Sequence, residues 1–202
     1  MKAWLDACPC IVFDIGNVLL DFSPQRILDK LVTREEHELF RRFVLSGPEW
    51  VMLDRGDLDN QKAAQRICRH PEMRGKEEAV TVFLREFPRL MPPLPASRLL
   101  DQLHTIGKRL FLLSNFHAEA FQTVFELHPF FQKADGMIIS SHVHCLKPEK
   151  EIYHLLFKKY DLIPGDCLFL DDVLENVEAA KAEGMQAIYY TSHDQIVELL
   201  HE

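Results

Sequence analysis

Short apolar runs bounded by polar or turn-forming residues recur along the chain: CIVF at 10–13, RLFLL at 109–113, GMIIS at 136–140, CLFL at 167–170 and QAIYY at 186–190. Runs of this length and character predict buried β-strands. Between the later ones, apolar residues return at helical spacing: Leu99, Leu103 and Ile106; Phe121, Val124 and Phe125; Ile152, Leu155 and Leu156; Leu174, Val177 and Ala180. Strand and helix therefore alternate from about residue 95 onward, which predicts a parallel sheet covered by helices. Pro148, followed by an acidic residue, reads as the first turn of one helix, and Gly184 as the C-terminal glycine of another.

From Phe22 to Leu90 the pattern changes: strand-like runs are few, charges many, and helical segments such as Gln61 to His70 follow the turn-like Arg55-Gly56-Asp57. This stretch reads as a helical insertion after the first strand. The cluster Met91-Pro92-Pro93-Leu94-Pro95 has no place inside a helix and marks the return. The expected architecture is α/β, a Rossmann-like doubly wound parallel sheet formed by 1–21 and 91–202, with a small helical cap at 22–90.

A chain of 202 residues, 47% of them hydrophobic, buries one substantial core. The net charge of −8 and the lack of any Lys/Arg-rich block exclude recruitment of nucleic acid or an anionic membrane by charge. The five cysteines, Cys8, Cys10, Cys68, Cys145 and Cys167, are scattered, without zinc-site spacing or disulfide density, which suits reduced thiols in the cytoplasm. MKAWLDACPC lacks the apolar stretch of a signal peptide, so the mature chain is expected to start near Met1, and no run approaches a membrane span. A cytoplasmic monomer or homodimer is expected.

Four of the five strand candidates end in polar residues: Asp14, Ser114-Asn115, Ser140-Ser141 and Asp171-Asp172. In an open parallel sheet these ends share one rim, where ligands bind. An isolated Asp or Ser there is more often a cap or turn residue. Taken together, however, a carboxylate after one strand, paired carboxylates after another, a Ser/Asn pair and Lys147-Pro148 supply a nucleophile, a hard-cation site and phosphate donors.

In that order, IVFDIGNVLLDF, LFLLSNF, LKPEKEIY and LFLDDVLENVEAA resemble the four motifs of the haloacid dehalogenase-like hydrolase superfamily, over about residues 10 to 190. The Gly-Asn-Val after Asp14 is similar to the small-cap branch that includes α-D-glucose-1-phosphate phosphatases. The resemblance implies a Mg²⁺-dependent phosphohydrolase acting on a small phosphorylated metabolite, a sugar phosphate being expected, through an aspartyl-phosphate on Asp14. It implies Asp14, the Gly16 carbonyl and Asp172 as metal ligands, with Asp171 in an outer position. Ser114, Asn115 and Lys147 would bind phosphate, Lys147 offsetting its charge.

Most phosphatases of this superfamily carry a second Asp two residues after the nucleophile, as general acid and base; here that position is Gly16. Asn17 can position water but not take its proton. His117 would supply a donor if its loop turned inward, a surface histidine being the plainer reading. His142 and His144 lack a third ligand nearby and read as solvated or cap-facing. Trp50, Met52, Leu53 and Arg55 are candidates to face the substrate or to pack the cap. Two rival readings follow. A 2-haloacid dehalogenase is disfavoured by Asp171-Asp172 and by the absent Tyr-Gly-Thr run after Asp14; a weak or inert binder of a phosphorylated ligand or partner is suggested by Gly16.

Overall fold

The computed structural model describes residues 8–192 and 195. All five apolar runs are strands: β1 (Cys10–Phe13), β2 (Arg109–Ser114), β3 (Gly136–Ile139), β4 (Cys167–Asp171) and β5 (Gln186–Tyr189). They form one parallel sheet in the order β3-β2-β1-β4-β5. Cys10 of the central β1 lies in register with Arg109 of β2 and Cys167 of β4. The chain fills one side of β1 with β2 and β3 and the other with β4 and β5, so a crevice opens at the carboxyl ends beside β1.

The helices are α1 (Pro24–Leu31), α2 (His37–Phe40, continued by a π turn Arg41–Leu45), α3 (Pro48–Arg55), α4 (Asn60–Ile67), α5 (Glu77–Glu86), α6 (Ser97–Thr105), α7 (Ala118–Leu127), the single turn α8 (Ser140–Val143), α9 (Lys150–Tyr160) and α10 (Leu174–Ala182). Local chemistry sets several boundaries. The Asp59 side chain accepts from the Lys62 N–H at 2.7 Å and starts α4. Pro48 occupies the first turn of α3, and Gly56, with φ +78°, ends it. Gly184 follows α10 at φ +88°. Pro148, by contrast, precedes α9, which begins at Lys150, two residues later than the sequence pattern suggests. Ile106 and Leu174 are also half exposed, lying at helix ends beyond the buried stripe.

Strand periodicity divides the interior into two layers. Ile11, Phe13, Leu110, Leu112, Leu168 and Leu170 face one core, which continues into α1 to α5 through Ile27, Phe40, Leu53 and Phe83. Cys10, Val12, Phe111, Leu113 and Phe169 face the other, under Ile152, Tyr153 and Leu156 of α9. Each such Phe or Leu contributes roughly 1.5–3 kcal/mol by leaving water. The connections into and out of the helical stretch run side by side: the Asp21 N–H donates to the Pro92 carbonyl at 2.9 Å and the Leu94 N–H to the Leu19 carbonyl at 2.8 Å. Among the described residues no helix is long and apolar enough to cross a membrane.

Candidate active site

Strand β1 delivers Asp14 to the rim, β2 ends in Ser114, β4 ends in Asp171, and the turn after α8 brings Lys147 to them. Lys147 Nζ lies 2.9 Å from Asp14 Oδ1 and 2.6 Å from Asp171 Oδ2, with all three side chains buried. Burial alone would lower the Lys147 pKa, but the two carboxylates more than offset it and hold the ammonium above its ordinary value. Burial pushes the Asp14 carboxyl up and Lys147 opposes it. The Asn115 side chain braces the lysine backbone, donating to the Lys147 carbonyl at 3.0 Å and accepting from its N–H at 2.8 Å. Its amide is thus committed to Lys147, although the residue still borders the cavity.

The paired acids differ. Asp171 is fully buried; besides Lys147 it accepts from the Val173 N–H at 2.8 Å and from Asn176 Nδ2 at 3.0 and 3.1 Å. Asp172 is partly exposed and accepts from Asn17 Nδ2 at 3.0 Å. Asn17 has φ +53°, and its side-chain Oδ1 accepts from the Phe22 N–H at 3.1 Å, so the same amide that donates to Asp172 also ties down the loop after β1. Asp14, Asp171 and Asp172 each offer an oxygen within 4.8 Å of the others. This all-oxygen, electron-rich set suits a hard divalent cation. The open space around Gly16 leaves its backbone approachable. Ser114 Oγ bears on the Asp14 carboxyl, yet neither that hydroxyl nor Asp14 Oδ1 completes a well-formed hydrogen bond within the protein, which also fits an external oxyanion and cation.

A cavity of about 220 Å³ opens over this rim, floored by Asp14, Gly16, Asn17, Lys147 and Asp172. Its wall is apolar, built from Phe22, Trp50, Phe87, Met91 and Phe116, with Asp54 and His117 as polar interruptions. His117 is 2% exposed and packs 4.3 Å from the Trp50 ring and 5.6 Å from Phe87. The surface reading of His117 is therefore corrected: the residue caps α7 and turns inward among aromatics, where burial lowers its pKa to about 3. Its Nε2 stands 3.4 Å from Asp54 Oδ1.

Of the helical-stretch candidates, Trp50 lines the cavity, whereas Leu53 is core and Arg55 forms an ion pair with Glu149 on the sheet side. His142 and His144 are exposed and lie apart from the rim cavity, and the turn α8 replaces the extended geometry that would have put them on one face. Ser140 serves as a brace, its Oγ accepting from the Phe116 N–H at 2.9 Å and donating to the Asp54 carbonyl at 2.5 Å. The sequence reading missed Asn176, Asp54 and, apart from Trp50, the aromatic wall. For Asn176, the spacing after Asp171 by little more than one helical turn was the available signal; for Asp54 and the wall, local sequence carries none.

Known proteins share this fold. The fold is similar to that of a HAD family enzyme from Bacteroides thetaiotaomicron (TM-score 0.78, 17% identity, covering 96% of this chain and 99% of that one). A structure of that enzyme with magnesium and inorganic phosphate aligns at TM-score 0.75 and 16% identity, covering 92% and 96% of the two chains. In sequence the chain is similar to sesquiterpene phosphatase astK of Aspergillus oryzae, 28% identical over 89% of this chain and 88% of that one. It is also similar to fructose-1-phosphate phosphatase YqaB of Escherichia coli, 24% identical over 88% and 94% respectively. The haloacid dehalogenase-like hydrolase model matches residues 8–184, from before β1 to the end of α10, and so spans every rim residue described above. With the Asp14 strand, the lysine turn and the paired acids in the family's order, the chain belongs to the haloacid dehalogenase-like hydrolases.

Proposed function

We propose that the protein is a Mg²⁺-dependent phosphomonoesterase in which Asp14 attacks phosphorus. The observation that carries this reading is the buried contact of Lys147 with both Asp14 and Asp171 at the end of the central strands. Lys147 keeps Asp14 ionised and positioned for in-line attack and supplies charge for the phosphoryl oxygens. Ser114 Oγ and the loop after β2 offer donors to those oxygens. Asp14, Asp172 and the Gly16 carbonyl would hold Mg²⁺, and Asp171, already saturated by Lys147, Val173 and Asn176, would orient the site from outside. When bound, the cation would neutralise charge on the transferring phosphoryl group. Residues 22–90 act as the cap that closes the site from water.

For the alcohol, the apolar wall is the guide: Phe22, Trp50, Phe87, Met91 and Phe116 surround the space beyond the rim, and a polyhydroxylated group would find few partners there. A phosphate ester of an apolar alcohol fits this lining best, in keeping with the named activity of the Aspergillus relative. The sugar phosphate expected from the sequence is the second reading, favoured by the named activity of the Escherichia coli relative.

The test is phosphate release from a panel of isoprenyl, alkyl and sugar monophosphates, with and without Mg²⁺, by the protein and by Asp14→Asn. Mg²⁺-dependent turnover lost by a factor of at least about 10³ in the variant is expected. Release from no ester, with ligand affinity unchanged in Asp14→Asn, would overturn the reading in favour of a binding protein.

A further inference from the structure

Gly16 stands where most related phosphatases place their proton donor, so a poor alkoxide leaving group needs its proton from elsewhere in the cavity. The titratable side chains that line it, among the described residues, are Asp14, Asp54, His117, Lys147 and Asp172. Asp14 and Lys147 are tied to each other, and Asp172 is held by Asn17 in the carboxylate cluster. His117 is walled in by Trp50 and Phe87 and stays neutral at physiological pH, which disqualifies it as an acid there. That leaves the one carboxyl group contributed by the helical stretch.

Resting on the phosphatase reading above, we infer that Asp54, at the end of α3, is the general acid and base of the reaction. Several contacts hold it against the rim. The Ser140 hydroxyl grips the Asp54 carbonyl at 2.5 Å. Arg55 and Glu149 form a two-pronged ion pair from cap to core. Gly56 packs so closely on Ser141 that a Cβ there would lie 2.2 Å from the Ser141 carbonyl oxygen. His117 Nε2 approaches Asp54 Oδ1 to 3.4 Å and packs beside the carboxyl group without a hydrogen bond to it. Burial raises the Asp54 pKa above the ordinary carboxylate range.

In the first step Asp14 Oδ bonds to phosphorus, the P–O bond to the alcohol breaks, and the proton of Asp54 passes to the departing oxygen. In the second, Asp54 takes a proton from water as that water bonds to phosphorus. The P–O bond to Asp14 then breaks, releasing inorganic phosphate and restoring both carboxyl groups to their starting states. The acid is thus delivered by the helical stretch from across the cavity.

The test compares hexyl phosphate with 4-nitrophenyl phosphate, whose phenolate departs without a proton. Alcohol release in a single turnover by Asp54→Asn isolates the first step, and because each ester is read on the same preparation, partial misfolding cancels from the ratio. Expected is a loss of about 10² to 10⁴ for the hexyl ester and little for the nitrophenyl ester. A burst of nitrophenolate followed by slow steady turnover is also expected, with partial recovery in Asp54→Glu. Equal losses on both esters, or none, would overturn the role of Asp54 while the Asp14→Asn result still stands for the phosphatase reading. Turnover persisting in Asp14→Asn would remove that reading itself.

Discussion

The sheet rim and the helical stretch both contribute to one cavity, but by different physical routes. Asp14, Ser114 and Asp171 are placed by strand ends whose register is locked by neighbouring parallel strands, so their mutual positions follow from the backbone ladder. Trp50, Asp54 and Phe87 are placed by helices that meet the rim only through side-chain packing and a few polar braces. The first route builds a fixed charge centre; the second builds an adjustable wall and, on our inference, the proton carrier.

The contrast is tested most severely at the centre. Lys147→Met leaves Asp14 and Asp171 as uncompensated buried charges and should cost about 3–5 kcal/mol of stability at neutral pH, read by urea unfolding. A loss below about 1 kcal/mol would mean that the centre is less dependent on its lysine than a buried pair requires.

Gly56→Ala probes the joint between the two regions. The added Cβ meets the Ser141 carbonyl at 2.2 Å and the residue must hold φ +78°, so a cost of about 2–3 kcal/mol is expected. The informative part is functional: inorganic phosphate should bind the rim with unchanged affinity by calorimetry, while ester turnover falls. Equal loss of both would show that the rim is not independent of the helical stretch.

A smaller effect comes from His117. Its folded pKa of about 3 lies below the ordinary 6.5, so the unfolded chain takes up a proton that the folded chain refuses. Its contribution is complete above the ordinary value and is lost as pH falls towards the folded one. Between about pH 7 and pH 5 this amounts to roughly 2 kcal/mol, and His117→Phe should remove that component from the pH dependence of the melting temperature. An unchanged profile would place the imidazole in contact with water.

The rim was readable from sequence because a parallel strand announces itself as a short apolar run and its last residue must emerge at the carboxyl edge. Asp14, Ser114 and Asp171 follow from that rule and from the order of the motifs. The register of β1 between β2 and β4 was not readable, since strand order is settled by pairing between segments far apart in the chain. His117 was misjudged for a related reason: a histidine at a helix start is ordinarily solvated, and only the approach of Trp50 and Phe87 from the helical stretch buries it. Asp54 carried no local mark at all, its meaning arising from its place in the wall of the rim cavity and from what Gly16 lacks.

The paired connections at Leu19–Asp21 and Pro92–Leu94 have a consequence for how such a molecule changes over evolutionary time. Because the segment leaves and re-enters the fold through adjoining, hydrogen-bonded chains, lengthening or replacing it requires no rearrangement of the strands, and loop closure grows only slowly with length. The helical stretch and the residues it brings to the cavity can therefore be exchanged as a unit, while the strand ends that carry Asp14, Ser114 and Asp171 stay in place.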